Sequence, residues 1–418
     1  MKTNNIKNFK AATVRFYREN RMFVIIWLIY SILLTITYWV LPPSFESNWF
    51  YFYTYLFTNR AVPYIDSRVG YPPLGFLPYM LLAYLTGQNF QTFMYALRAF
   101  NASALLLSQL LTYTIIKKWR EKREAYISVI LFFALPSVAQ YGRFSNDTLA
   151  LFTTLLAIYL LLQKREAAAG VTIGLAAMVK GFPALLLLPA LIWLKTNRER
   201  FRLLGAAVLT VFAVSLPFLI CDPFMYLSTY IHHGDRGPWE TVWALIDGWR
   251  SHGGFIHPDF DQFLYQTQLR KIYPLRPNDH AFYLWRNPAL PTILSTLGAI
   301  AVLSPIILIK RIKNGEELFN TLGLVFIGYI IFFKGYSPQF TVFVIPIILL
   351  AIKGVWKIGL CILLDVATEL EMLAWSQLPS ISNDLHMPML EASIILRTAT
   401  LSLALVLLTI RFLRRRRI

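Results

Sequence analysis

Apolar residues along this chain come in long runs, such as Met22 to Val40 and Ala289 to Ile309, and not in strict alternation. Runs of about 20 apolar residues match the roughly 30 Å hydrocarbon core of a bilayer when helical. The short alternating segments of a membrane β-barrel are missing from the pattern. In lipid a backbone must satisfy its own polar groups, so many such runs predict an all-α, polytopic helical bundle. The runs place helices near 23–41, 93–116, 125–143, 149–164, 168–179, 182–194, 203–220, 289–309, 317–333, 340–352, 356–378 and 392–412, about 11–13 transmembrane helices in all.

Two segments interrupt this rhythm. Pro73 to Thr86 is apolar but short. It reads as re-entrant or interfacial, which is tolerated where protein covers the backbone. The rival reading is a full span, which would invert the next helices and move Lys117–Arg123 outside. The pair 168–179 and 182–194 is short for two spans and predicts a broken hairpin around Lys180-Gly181-Phe182-Pro183, with Pro183 ending its first helix.

Composition agrees with a membrane chain: 15% of residues are charged, against roughly 25% in soluble domains. A net charge of +18 would by itself suggest nucleic acid. The basic residues sit at helix ends, however, in Lys2–Arg21, Lys117–Arg123, Lys164–Arg165, Lys195–Arg202, Lys310–Lys313, Lys353–Lys357 and Arg411–Arg417. Lys and Arg accumulate in short cytoplasmic loops, so all of these are placed inside, with both termini. Nucleic acid is excluded as a partner and the bilayer takes its place. The first 21 residues are too long and polar for a signal n-region and lack a small-residue cleavage site, so the first helix is expected to be a retained anchor. Cys221 and Cys361 support no disulfide framework.

Three regions follow: a basic cytoplasmic N-terminus (1–22), a transmembrane region (23–355) with external loops 42–92 and 221–288, and C-terminal helices with a basic tail (356–418). Chemistry-bearing residues concentrate outside. The first loop holds Glu46 and Asp66 among many aromatics. An interfacial carboxylate can take a proton from a sugar hydroxyl. The same residues also suit an amphipathic surface helix with solvated acids. Lys180 and Lys334 are cations on the side the charge rule disfavours. A lysine deep in the membrane costs roughly 2.5–3.5 kcal/mol, which a pairing anion such as a lipid phosphate offsets. Snorkelling to the external headgroups is the alternative. Asp147, after Ser145 and Asn146, reads first as a helix cap.

In the long loop, Arg236 suits bidentate phosphate recognition. The adjacent His232 and His233 lack the spacing of a metal site, so no metal and no cofactor is expected. His252, His257, Asp259 and Asp261 fall in a polar stretch with no assigned role. Asp365, Glu369 and Glu371 interrupt an apolar helix. They read equally as an acceptor groove or as packing against Arg397.

The run from Glu46 through Pro63-Tyr64-Ile65-Asp66 to Tyr71-Pro72-Pro73-Leu74 resembles the first loop of polyprenyl-phosphate-sugar-dependent glycosyltransferases of the GT-C class, especially the mannosyltransferase-like family 87. Asn146-Asp147 with Gly170 to Gly174 and Lys180, then Asp235-Arg236-Gly237 with Glu240 and Trp243, then Ser337-Pro338-Gln339 follow in that family's order, over roughly residues 40–350. The family's first acid is usually Asp; Glu46 stands there instead, so Glu46 and Asp66 both stay open as the base.

The resemblance implies a GT-C-like bundle with interfacial loop helices and a multi-pass protein whose site faces the extracytoplasmic side. The implied donor is a sugar, mannose by family, on a polyprenyl or dolichyl phosphate. The implied acceptor is a hydroxyl on a glycan, glycolipid or protein. Arg236, Lys180 and Lys334 would hold the donor phosphate, and Tyr64, Tyr71, Asp147, Glu240, Trp243 and Gln339 would line the pocket. An oligosaccharide transferase would need a large external domain and a metal, for which loop 221–288 is small. A transporter or flippase is the competing class, but it often shows broken helices in both halves, and only 168–194 looks broken.

Overall fold

The computed structural model describes residues 17–42, 46–58, 60–65, 69–235, 238–247, 289–307, 309, 311–375 and 383–416. Regular elements among the described residues are α- or 3-10 helices, and Trp239 and Gly335 form an isolated parallel bridge. The all-α expectation is borne out.

The chain opens with α1 (Arg21–Val40) and α2 (Glu46–Thr58). A 3-10 turn, Pro73–Gly75, leads into α3 (Leu77–Leu85). Next come α4 (Phe90–Trp119), α5 (Lys122–Ala134), α6 (Pro136–Gly142), α7 (Asp147–Leu162) and α8 (Glu166–Val179). After a 3-10 turn at Phe182–Leu186 follow α9 (Leu187–Trp193), α10 (Asn197–Cys221), α11 (Pro223–Asp235) and α12 (Val242–Asp247). The C-terminal part holds α13 (Ala289–Ile307), α14 (Gly315–Phe332), a 3-10 turn at Pro338–Phe340, α15 (Thr341–Ala351), α16 (Val355–Trp375) and α17 (Asn383–Arg416).

Five of these are long and apolar enough to cross a membrane alone: α1, α4, α10, α14 and α17. The expected single helix 125–143 is instead two, α5 and α6, bent by 62°. The cause is Pro136, which lacks an amide donor and starts a new helix where the old one ends. Counted as one broken span, the pair makes a sixth. Shorter apolar helices fill the bundle between them, α7, α8 and α15 included. Helix α3 has nine residues, or about 14 Å, half of what a span needs. It fits the re-entrant or interfacial reading of Pro73 to Thr86. The hairpin at 168–194 is broken as expected, but α8 stops at Val179, ahead of Pro183, because Lys180 turns extended.

Small residues let two of these helices approach closely. A Cβ on Gly170 would fall 2.2 Å from the Leu203 carbonyl oxygen, and one on Gly174 would fall 2.7 Å from that of Ala207. Gly170 to Gly174 is thus a small-xxx-small face seating α8 on α10, the membrane form of close helix packing.

The basic helix ends gather at one end of the bundle. There Lys118 donates to the Leu162 carbonyl (3.1 Å), Arg411 to that of Ala351 (3.0 Å), and Arg120 to those of Leu349 and Ile352 (3.2 and 3.3 Å). These are terminal carbonyls of α7 and α15, which have no intrahelical partner and accept from cations. Arg120 also pairs with Glu316 (2.8 Å), and Lys357 with Glu124 (2.6 Å). The basic residues from which the charge rule reads orientation thus also fasten helix ends.

Candidate active site

The opposite end of the bundle holds a second set of buried polar residues. It is assembled around the start of α7. Asp147 is its first residue and is fully buried. Both carboxylate oxygens accept from the Lys180 ammonium, at 2.7 and 2.8 Å, and Oδ2 also accepts from the Ser145 hydroxyl at 2.6 Å. The capping role read from the sequence falls instead partly to Ser145, whose Oγ accepts the Asp147 amide at 3.1 Å. Asn146, the residue before the helix, makes no side-chain cap; its Nδ2 donates to the Gly75 carbonyl at 3.2 Å.

The reason is electrostatic. A buried ammonium at the broken tip of the α8 hairpin needs an anion, and the nearest one wins over a single helix amide. The Lys180 ammonium also lies 4.1 Å from the centre of the Phe340 ring and 5.8 Å from that of Phe182, within cation–π range. The pairing anion offered to Lys180 by the protein is thus Asp147, and the lysine does not snorkel.

The first loop reaches this pair through Gly75. A Cβ there would sit 2.3 Å from the Val179 carbonyl oxygen and 3.1 Å from Asn146 Nδ2. Only glycine lets the Tyr71-Pro72-Pro73-Leu74 segment lie against the end of α8, one residue before Lys180. Gly75→Ala should push the segment off the hairpin. The expected result is a lower melting temperature of the detergent-purified protein and a loss of the activity proposed below greater than the stability loss explains.

Tyr64, at φ 63, is buried and its hydroxyl donates to the Tyr71 carbonyl at 2.6 Å. It packs on Phe218 and Tyr226. Its role here is to hold the loop, while Tyr71 remains half-buried.

Two arginines fix the other end of that loop. Arg98 donates to the carbonyls of Tyr38, Leu41 (2.9 Å) and Pro42 (3.2 Å), and Arg143 also reaches Pro42 (3.1 Å). They fasten the exit of α1 just before α2. Asn101, one turn from Arg98, donates to the Arg143 carbonyl and accepts from Tyr79 and Thr148. Arg98 and Asn101 escaped the sequence reading. Their signal was an i, i+3 polar pair inside the apolar run 93–116, which marks a face turned to the protein interior.

On the far side, the Lys334–Gln339 turn meets the 238–243 segment. The Trp239 amide donates to the Lys334 carbonyl (2.8 Å) and the Tyr336 amide to that of Trp239 (2.9 Å). Trp243 donates to the Ile331 carbonyl at 3.2 Å. Lys334 is 6% exposed, and Gln339 is half-buried on the same turn as Phe340. Glu240 is buried at φ 50, and its carbonyl accepts from Arg397. Arg397 also pairs with Glu371 and lies over the Tyr336 ring at 3.8 Å. The packing of the α16 acids against Arg397 is therefore realised in Glu371, whereas Asp365 accepts from the Ser137 amide (3.0 Å) and hydroxyl.

The fold thus brings together four of the separated sequence segments: Tyr71–Gly75, Asn146-Asp147 with Lys180, 238–243, and 334–340. Asp66 and Arg236 lie outside the described residues, as do the polar stretch 248–288 and the side chain of Glu46, whose backbone opens α2. His232 and His233 lie on α11, with side chains outside the described set. Among the described residues no group of His, Cys, Asp and Glu is arranged to hold a metal.

A helical membrane bundle with this constellation at one end is similar to the polyprenyl-phosphate-sugar glycosyltransferases of the GT-C class. Residues 70–245 match the family described as Glycosyltransferase family 87, which bears out the resemblance read from the motifs. Glu46 and the 334–339 turn lie outside that matched stretch.

Two similar proteins are undecaprenyl phosphate-alpha-4-amino-4-deoxy-L-arabinose arabinosyl transferases. One, from Pseudomonas savastanoi pv. phaseolicola, is 30% identical over 59% of this chain and 52% of its own. The other, number 2 from Pseudomonas fluorescens, is 29% identical over 56% and 47%. The chain spans about half the length of these relatives. Among solved structures, ArnT from Cupriavidus metallidurans bound to undecaprenyl phosphate aligns at a TM-score of 0.41 and 14% identity, covering 92% of this chain and 76% of that one. The oligosaccharyltransferase of Archaeoglobus fulgidus, tethered with an acceptor peptide, aligns at 0.42 and 13%, covering 93% and 56%. At these scores nothing is carried over from either structure.

Proposed function

We propose that the protein is a membrane glycosyltransferase that moves a sugar from a polyprenyl phosphate to an acceptor hydroxyl, with inversion at the anomeric carbon. The observation that carries this reading is the buried Asp147–Lys180 pair, with Phe340 against the ammonium and Gly75 against the neighbouring Val179 and Asn146, at the end of the bundle opposite the basic helix ends. By the positive-inside rule that end faces the extracytoplasmic side. The family match and the two arabinosyl transferase relatives support the reaction class.

The residues divide the work. Lys180 is held at the site as a fixed cation, and with Lys334 and Arg236 it stabilises the phosphate as the leaving group departs. A polyprenyl phosphate sugar is a phosphodiester already charged before reaction, so these residues need no metal to neutralise it. Both Asp147 oxygens accept from Lys180, and Oδ2 also from Ser145, so Asp147 is assigned as the anchor of the cation. The base is assigned to a first-loop acid, Glu46 or Asp66, since an interfacial carboxylate can take a proton from a sugar hydroxyl. Tyr71, Glu240, Trp243 and Gln339 supply the walls of the pocket.

Mannose is the sugar implied by the family, and 4-amino-4-deoxy-L-arabinose is named for the two relatives. The test is release of polyprenyl phosphate from purified protein given each sugar on undecaprenyl and on dolichyl phosphate. A transferase frees the lipid phosphate in step with sugar transfer. A flippase or transporter moves the intact donor across a vesicle and frees none, which would overturn the proposal.

A further inference from the structure

Arg397 is a charge inside an apolar helix. It lies within the span Leu385–Arg414 of α17, about 21 Å along the axis from Arg411 at the basic end. It is 2% exposed. Charges at such depth are rare and face a bundle interior, paired with another group. Here Glu371 of α16, itself fully buried, supplies the counter-charge.

The ion pair alone does not account for the arginine. Helices α16 and α17 already pack against each other, and apolar residues of the same volume often hold two helices as well as a buried pair does. What Arg397 adds is a hold on two separate segments of the site. One terminal nitrogen donates to Glu371, and the other donates to the Glu240 carbonyl. The face of the guanidinium lies over the Tyr336 ring, 3.8 Å from its centre.

Glu240 belongs to the 238–243 segment and Tyr336 to the 334–340 turn. Lys334 sits where the two join. Its carbonyl accepts from the Trp239 amide at 2.8 Å and from the Thr241 hydroxyl at 3.3 Å. Glu240 has φ 50, a left-handed conformation that a residue with a side chain adopts at a cost and keeps where its surroundings hold it. The Arg397 bond to the Glu240 carbonyl is such a hold. On the turn, the Tyr336 hydroxyl is bonded to Thr341 at 3.1 Å, and Thr341 to Thr368 of α16 at 2.7 Å. The Tyr336 ring also meets Phe340, the residue against the Lys180 ammonium.

Two donors in one plane and a flat face are needed at once, and only a guanidinium has them. A lysine would keep the charge opposite Glu371 but would lose the fork and the stacking face.

We propose that Arg397 is a positioning residue for the donor phosphate, which locks the 238–243 segment to the 334–340 turn and so aims Lys334. The part given to Lys334 rests on the transferase reading.

The test is a double-variant cycle with Lys334 on the full chain in lipid nanodiscs. One readout is the dissociation constant of undecaprenyl phosphate. The other is kcat for transfer from labelled mannosyl and 4-amino-4-deoxy-L-arabinosyl undecaprenyl phosphate. Arg397→Lys should melt close to wild type. It should nevertheless lower kcat about 10²-fold, the scale of loss when a catalytic group is misplaced by about 1 Å. It should also weaken undecaprenyl phosphate binding. Lys334→Met should show both losses. With Lys334→Met already present, Arg397→Lys should add no more than about twofold to either, because a residue acting through Lys334 has nothing left to aim. A purely structural role would give additive losses. If Arg397→Lys folds poorly, Arg397→Met with Glu371→Gln removes both charges and replaces it in the cycle. Additive losses, or wild-type binding and transfer in a folded Arg397 variant, would overturn the positioning role. Coupled losses in undecaprenyl phosphate binding, with no transfer from either donor, would sink the transferase reading alone.

Discussion

Asp147→Ala is expected to abolish sugar transfer and to destabilise the protein severely, whereas Asp147→Asn combined with Lys180→Met should fold and still fail to transfer. Asp147 is fully buried and the Lys180 side chain is 11% exposed, with Nζ bonded to both carboxylate oxygens. Removing one partner of a buried pair leaves the other charge uncompensated, at about 3–5 kcal/mol. Removing both charges is often near neutral, because the desolvation penalty disappears with the attraction. The double variant therefore separates a structural pair from a working one. Thermal unfolding in detergent should show the single variant far below wild type and the double variant close to it. Transfer at wild-type level in a folded double variant would mean that Lys180 does not act on the leaving phosphate.

The second large effect concerns the first loop. One of Glu46→Gln and Asp66→Asn should lower transfer by about 10²–10⁴-fold, the usual loss when a general base is removed. The other should leave it within a few-fold. Donor KM should change little in either, since neither acid is assigned to the phosphate. Pre-steady-state transfer from a labelled donor reads this directly. Full activity in both variants would end the base mechanism. Loss of folding in neither is expected, because Gln and Asn keep the size and polarity of the acids they replace.

Periodicity and charge determined much of the architecture. Long apolar runs must be helices in lipid because no solvent is present to satisfy the backbone, so the all-α class follows from Met22–Val40 and its counterparts. Basic residues at helix ends sorted the two faces, and the fold gathers those cations on shared carbonyls at one end. The break at 168–194 was legible too, since a lysine, a glycine and a proline together cannot continue an apolar helix. Only the tertiary structure decided what the isolated charges do. Nothing local distinguishes an Asp that caps a helix from one that binds a lysine 33 positions later. Arg397 had three acids to choose among on α16, and the packing gave it Glu371. Gly75 falls in the short apolar segment Pro73 to Thr86 with nothing local to single it out, yet a carbonyl of another helix would lie 2.3 Å from any Cβ placed there. Sequence pattern carries free energies that act over a few residues or along the bilayer normal. Ion pairing and close packing depend on distances that exist only once the helices have met.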